Sequence, residues 1–207
     1  MLTLKDYLLN PCRAASLPYW KAMTVSVPPF MKIIHQDTFD PAVCADYSDE
    51  PYFRLYHDLK TLPHFPLPEG FSFSCAGPDV LAAYIAQYYE GGGISAADLR
   101  RYEEHPVYCA QLWLTILDEH TGAVAASGIG KLDPETGEGI LEWIQVSPAF
   151  RRRGLGRCLV AELLRRMQGK ADFVTVSGQC RNPYRPELLY RACGFTGNDV
   201  WHILTKR

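Results

Sequence analysis

Residues 151–157 read Arg-Arg-Arg-Gly-Leu-Gly-Arg. Behind them Leu155, Leu159, Val160, Leu163, Leu164 and Met167 recur at helical spacing, which predicts a helix over 153–168 with the arginines and glycines at its head. At a helix N-terminus the backbone N–H groups lack internal acceptors and the dipole is positive. The chemistry on offer there is anion binding. Gly154 and Gly156 would let the backbone approach an anion closely. A dinucleotide fingerprint needs a third glycine where Leu159 stands, and no Gly-Lys-Ser/Thr of a P-loop occurs in the chain.

The elements that must position this turn follow from the surrounding periodicity. Three strands are predicted at 108–117, 123–132 and 139–146, joined by loops that each contain a Thr-Gly turn signal. The first carries apolar residues on both faces, Leu112, Leu114 and Ile116 against Trp113 and Leu117. A sheet of that kind is covered by helices on both sides. After the 153–168 helix come a strand at 172–177, a helix near 187–193 and a strand at 200–204. Upstream, a strand at 71–75 precedes a helix that Asp79 caps and that runs to about Glu90. The glycines at 91–93 break it, and Ser95 with Asp98 forms a capping box for the next helix. Residues 1–70 read as an N-terminal extension. They hold a short helix at Leu4–Leu9, extended segments around 31–35 and 52–59, and a proline-rich linker at 62–70.

Composition sets the outer bounds. The chain has 207 residues, 47% hydrophobic and 21% charged, with a net charge of −2. That balance argues against bulk nucleic-acid binding. Ten Lys/Arg face three Asp/Glu between 151 and 191, whereas 37–58 holds six acids and Arg54 alone. The asymmetry reads either as a site meeting a polyanion on one side and a cation on the other, or as two solvated surfaces. Seven cysteines at spacings that match no zinc pattern read as reduced core residues of a cytoplasmic protein, with no metal. Asp6 and Pro11 interrupt the first apolar run, which argues against a signal peptide, and no stretch is long and apolar enough to span a membrane.

The segment Val-Ser-Pro-Ala-Phe-Arg-Arg-Arg-Gly-Leu-Gly-Arg resembles the acyl-CoA signature of the GNAT acetyltransferase superfamily, Arg/Gln-x-x-Gly-x-Gly/Ala, here Arg151, Gly154 and Gly156. Two further features resemble the family. One is Glu142 on the strand feeding the turn. The other is an Asn…Tyr-x-x-x-Gly-Phe element at Asn182, Tyr190, Gly194 and Phe195. Asn182 and Tyr190 stand eight apart, with Pro183 and Pro186 between them, where the family pattern has seven. The likeness covers residues 71–207. It implies a mixed α/β fold, with a central, mostly antiparallel sheet flanked by helices on both faces, and acetyl-CoA as cosubstrate. It also implies direct acetyl transfer to an amine, the acceptor being a small molecule or a peptide, in a monomer or homodimer.

The same resemblance distributes the roles. Backbone amides of Arg152, Arg153, Gly154, Leu155, Gly156 and Arg157 meet the pyrophosphate, with Arg151 beside them. Ile144, Gln145 and Val146 line the pantetheine, and Asn182 assists. Glu142 is the candidate base, on an alternating strand that would put it on one face with Ile144 and Val146. Its alternative is an acid at a strand edge meeting water. Tyr190 is the candidate hydrogen-bond donor to the leaving sulfur, its alternative a core tyrosine. Cys180, Cys193 and His202 read as packed residues, and Tyr84, Tyr88 and Tyr89 as core or groove wall. Two rivals to a small-molecule enzyme are a non-catalytic acyl-CoA sensor and a peptide N-acetyltransferase.

Overall fold

The computed structural model describes residues 2–42, 44–89 and 93–207. In chain order the elements are α1 (Leu4–Leu9), α2 (Pro11–Ala14), α3 (Tyr19–Ala22), β1 (Met31–His35), β2 (Tyr47–His57), β3 (Phe71–Cys75), α4 (Pro78–Tyr88) and α5 (Ala96–Glu103). They continue with β4 (Trp113–Asp118), β5 (Val124–Asp133), β6 (Glu138–Val146), α6 (Leu155–Met167), β7 (Phe173–Gln179), α7 (Pro186–Ala192) and β8 (Thr196–Lys206). Among the described residues, eight mostly antiparallel strands and flanking helices give the mixed α/β architecture that the sequence implies. The chain divides into two compact units, one of residues 58–174 and one of residues 1–57 with 175–207.

In the unit of residues 58–174, β4 to β6 form an antiparallel meander, and β3 pairs antiparallel with β4 after the α4–α5 excursion. Trp113 and Ile129 on one face pack with Leu81 and Ile85 of α4 and Leu99 of α5. The other face takes α6, whose Leu159, Leu163 and Met167 are fully buried. Each such leucine contributes roughly 1.5–3 kcal/mol. Space under this helix is tight. A Cβ at Gly130 would lie 2.7 Å from Met167 Cε and 3.0 Å from Leu112 Cβ, so these side chains would have to shift.

Local chemistry explains where the elements begin. The strand expected from residue 108 starts at Trp113, because Ala110–Leu112 turns as a 3-10 helix with the Leu112 amide donating to the Cys109 carbonyl at 2.9 Å. Helix α4 is capped at Gly77 with Pro78 in its first position, where a missing N–H costs nothing. Asp79, expected as the cap, lies one step inside and pairs with Arg100. Ser95 does cap α5, its Oγ accepting the Asp98 amide at 3.1 Å. Helix α4 ends at Tyr88. Its expected extension to Glu90 and the break at Gly91 and Gly92 lie outside the described residues.

In the other unit the strand order is β1-β8-β2-β7. Strands β2 and β8 are longer than their apolar patterns suggest, because each pairs with the other from Tyr47↔Lys206 to Tyr56↔Thr196. Ladder hydrogen bonds extend both strands through residues whose side chains are polar. The N-terminal helices are fastened by two long-range bonds. Trp201 Nε1 donates to the Cys12 carbonyl and Arg54 to the Tyr7 hydroxyl, both at 2.8 Å. Several acids of the 37–58 stretch have partners within this unit: Asp49 lies 2.8 Å from His202 Nδ1 and 2.9 Å from Arg181, and Asp37 pairs with Arg13. The ring of His202 is stacked on Phe39 at 3.6 Å.

Candidate active site

Strand β6 does not alternate to its end. Its ladder with β5 pairs Glu142 with Ile129 but Gln145 with Ser127, so β6 holds one residue more than its partner across this step. Trp143 takes up the excess at φ +55, a left-handed conformation rarely adopted by a large side chain. The bulge resets the facing. Residues opposed across a ladder share a face, and Ser127 and Ile129 are two apart, so Glu142 and Gln145 share the face toward α4 and α5. Ile144 points the other way, where its Cδ1 packs with Leu159 and Leu163 of α6 over Gly128. Val146 is paired with Ala126, one step off the face of Ser127 and Ile129. The strict alternation that would set Glu142 beside Ile144 and Val146 is therefore corrected by one inserted residue.

Glu142 is not an isolated acid. Its Oε2 accepts a hydrogen bond from Lys131 Nζ at 2.6 Å. Lys131 is 1% exposed and Glu142 16%. The ammonium also lies 3.7 Å from the ring centroid of Tyr102 on α5. A buried ammonium requires such compensation, since stripping its water costs several kcal/mol (about that per ion). Lys131 and Tyr102 were not singled out by motif. The available signal was a lysine inside the apolar run Gly-Ile-Gly-Lys-Leu, in phase with Ile129.

The turn after β6 begins with a clamp. Tyr84 of α4 donates from its hydroxyl to the Ala125 carbonyl and accepts the Ser147 amide, both at 2.8 Å. Burial, first among several causes, pushes the Tyr84 hydroxyl well above the ordinary tyrosine range. The helical spacing of Tyr84 marks it as core or groove wall, whereas these bonds depend on the fold. Arg151 Nε then donates to the Val146 carbonyl at 3.1 Å, folding its side chain back over the strand end. Arg152 at φ +67 and Gly154 at φ +83 bring the chain to the first turn of α6. Left-handed residues before a helix N-terminus are the backbone ingredients of an anion-binding nest.

The residues of this turn suit a phosphate-bearing cosubstrate. A Cβ built on Gly154 meets no atom within 4 Å, so the ground before the turn is open. Leu155 and Gly156 occupy the first two helical positions, whose amides have no acceptor within the helix. Arg152, Arg153 and Arg157 are exposed, and the guanidinium groups of Arg153 and Arg157 lie over the rings of Phe150 and Phe65 at 5.3 and 5.7 Å. On β6, both amide atoms of Gln145, and across the ladder Ser127 Oγ, are buried without a hydrogen-bond partner among the described residues. Buried polar groups of this kind mark places completed by water or ligand. The residues present fit the group.

Glu142, Ile144, Gln145, Val146 and residues 151–157 all lie in the unit of residues 58–174, with Ile144 on the opposite face from Glu142 and Gln145. Tyr190 and Asn182 belong to the other unit. There Tyr190 is buried on α7 between the rings of Phe53 and Phe195. Burial, then the neighbouring Cys193, raises its pKa well above the ordinary value, and no hydrogen bond contributes to the shift. Asn182 Oδ1 accepts the Tyr184 amide at 2.9 Å, an Asx-type turn before α7. Cys180 is an exposed thiol, raised in pKa chiefly by desolvation. Among the described residues no group of three or more His, Cys, Asp or Glu could hold a metal, and no helix is long and apolar enough to cross a membrane.

Comparison with known proteins agrees with this geometry. Residues 104–197 match the family model described as acetyltransferase (GNAT) domain. Among curated proteins none matches the chain at a significant level. A GCN5-related N-acetyltransferase from Sphaerobacter thermophilus superposes with a TM-score of 0.70 at 17% identity, covering 84% of this chain and 58% of its own. A Drosophila protein superposes at 0.60 with 22% identity, covering 79% and 54%. A GNAT-family acetyltransferase from Colwellia psychrerythraea superposes at 0.55 with 17% identity, covering 84% and 64%. The chain spans less than two thirds of each of these proteins, and likeness at such identities speaks to fold. The domain match spans the bulged strand and the glycine turn, and the solved structures share the fold, so the likeness to GNAT acetyltransferases rests on the 104–197 segment and on architecture.

Proposed function

We propose that this chain transfers an acetyl group from acetyl-CoA directly to the amine of a small molecule or peptide. The observation that carries the reading is the 151–157 turn, with its left-handed Arg152 and Gly154 at the head of α6. When bound, acetyl-CoA supplies an acetyl group activated as a thioester. The amides of residues 152–157 would hold its pyrophosphate, and Arg152, Arg153 and Arg157 would add attraction for its phosphates. The backbone at Ile144, Gln145 and Val146 would line the pantetheine, with Arg151 bracing the strand end and Asn182 assisting.

An alkyl amine with a pKa near 10.4 is mostly protonated at pH 7, and freeing its lone pair costs roughly 4–5 kcal/mol. Glu142, directly or through water, accepts that proton. Tyr190 hydrogen-bonds to the departing sulfur. A thiol near pKa 8.5 is already a stronger acid than an ordinary tyrosine, by about 2 kcal/mol. Burial of Tyr190 widens that gap, so hydrogen bonding is favoured over full proton transfer. Among the described residues no cysteine forms a disulfide, which supports a cytoplasmic setting.

One observation favours a second reading, a non-catalytic acyl-CoA sensor: the ion pair with Lys131 makes Glu142 a weaker proton acceptor. A thiol-release assay with acetyl-CoA against polyamines, aminoglycosides, amino acids and peptides separates the two. Release with one acceptor class is expected. Tight coenzyme A binding with no release from the whole panel would establish the sensor.

A further inference from the structure

We infer that Lys131 is the positioning residue of the site, holding Glu142 ionised and oriented at the β6 bulge. The inference rests on the reading of Glu142 as the group that takes the acceptor's proton. In the β5–β6 ladder Lys131 opposes Ile140 and Glu142 opposes Ile129, which makes the two charged residues diagonal neighbours on one face. Their bond of 2.6 Å is thus set by register, and Lys131, at 1% exposure, has no route to bulk water. Tyr102 covers the ammonium from α5.

The other charged groups on this face act on the pair. Asp133 and Glu138, opposed to each other and both buried, lie one step further along the same face as Lys131. Lys131 therefore stands between Glu142 and two acids. Among the described residues, titratable rings packed on this side of the sheet include Tyr84 and Tyr89 from the α4 segment, Tyr102 on α5 and Tyr108. Without the ammonium, Glu142 would be a largely buried carboxylate stripped of its cation, and desolvation favours protonation. A protonated Glu142 cannot accept a proton. The lysine keeps the acid in its working form, at the expense of basicity, and the bulge at Trp143 fixes where it points.

The test uses the full chain labelled with 13C at glutamate side chains. In Lys131→Met the titration midpoint of the Glu142 carboxyl, assigned by loss of its signal in Glu142→Gln, should rise by about one pH unit or more, a tenfold change in proton affinity. An unmoved midpoint overturns the inference. Should Lys131→Met fail to fold, the reciprocal measurement serves. In Glu142→Gln labelled instead with 13C at lysine Cε, the Lys131 midpoint should fall, and an unchanged midpoint overturns the inference equally. Activity is read separately. In an active enzyme the acid limb of kcat/KM should move up with the Glu142 midpoint in Lys131→Met, and Lys131→Met should have no further effect on that limb in a Glu142→Gln background. A moved midpoint with an unmoved limb leaves the Lys131–Glu142 coupling standing and removes Glu142 as the base.

Discussion

The Tyr84 hydroxyl accepts the Ser147 amide and donates to the Ala125 carbonyl, so one side chain of α4 holds the point where β6 ends and the glycine turn begins. Ser147 also donates to Ala125 directly at 3.0 Å. Tyr84→Phe therefore leaves that backbone bond in place and removes the two hydroxyl bonds. It should lower stability by about 1–2 kcal/mol, measured by denaturant unfolding. A loss well under that would show that the backbone bond alone holds the strand end.

Gly154 is the second point of leverage. At φ +83 a Cβ is strained by about 1–2 kcal/mol whatever the space around it. Since the added Cβ meets no protein atom, Gly154→Ala should fold, with that modest loss. Gly154→Val should weaken coenzyme A by about tenfold or more, as bulk enters ground assigned to the pyrophosphate; a tenfold loss is about 1.4 kcal/mol. Calorimetric titration decides it, and undiminished affinity in Gly154→Val would remove the turn from the cosubstrate site.

Glu142 and Tyr190 separate by pH. Glu142→Gln should lower kcat at neutral pH by about 10²–10⁴-fold and recover in part as pH rises, because more acceptor arrives deprotonated. Tyr190→Phe should lower kcat without that rescue, since alkali supplies a free amine but no hydrogen bond to the sulfur. Parallel pH profiles for the two variants with one identified acceptor would mean the roles are wrongly divided.

Glu162 on α6 gives a pH-dependent stability. Hydrogen bonds from Arg165, and beyond them from Arg166, hold its carboxyl below the ordinary value of 4.5 against the opposing effect of burial. A depressed folded pKa means that the contribution is complete above the unfolded value and is lost as pH falls through the folded one. Glu162→Gln should thus be less stable than the parent at pH 7, with the gap closing on acidification below about pH 4.5. Thermal unfolding at several pH values measures it. A gap that stays constant with pH would assign the effect to packing.

The sequence by itself determined the elements and the turn. Helix α6 announces itself because its buried leucines recur at 3.6 residues per turn, and the three meander strands because their apolar runs are cut by Thr-Gly turns. The glycines at 154 and 156 were legible for the same reason: their meaning is local, set by a backbone conformation and a helix end. Local pattern could not carry the rest. The full lengths of β2 and β8 depend on each other's hydrogen bonds across more than a hundred residues. The facing of Glu142 depends on a residue inserted at Trp143, and a period-two reading has no means of detecting an insertion that only the partner strand defines. The pairing of Lys131 with Glu142, eleven residues apart, follows from that register. Tertiary structure decided these features because register and charge burial are properties of two strands held together, and neither strand encodes them alone.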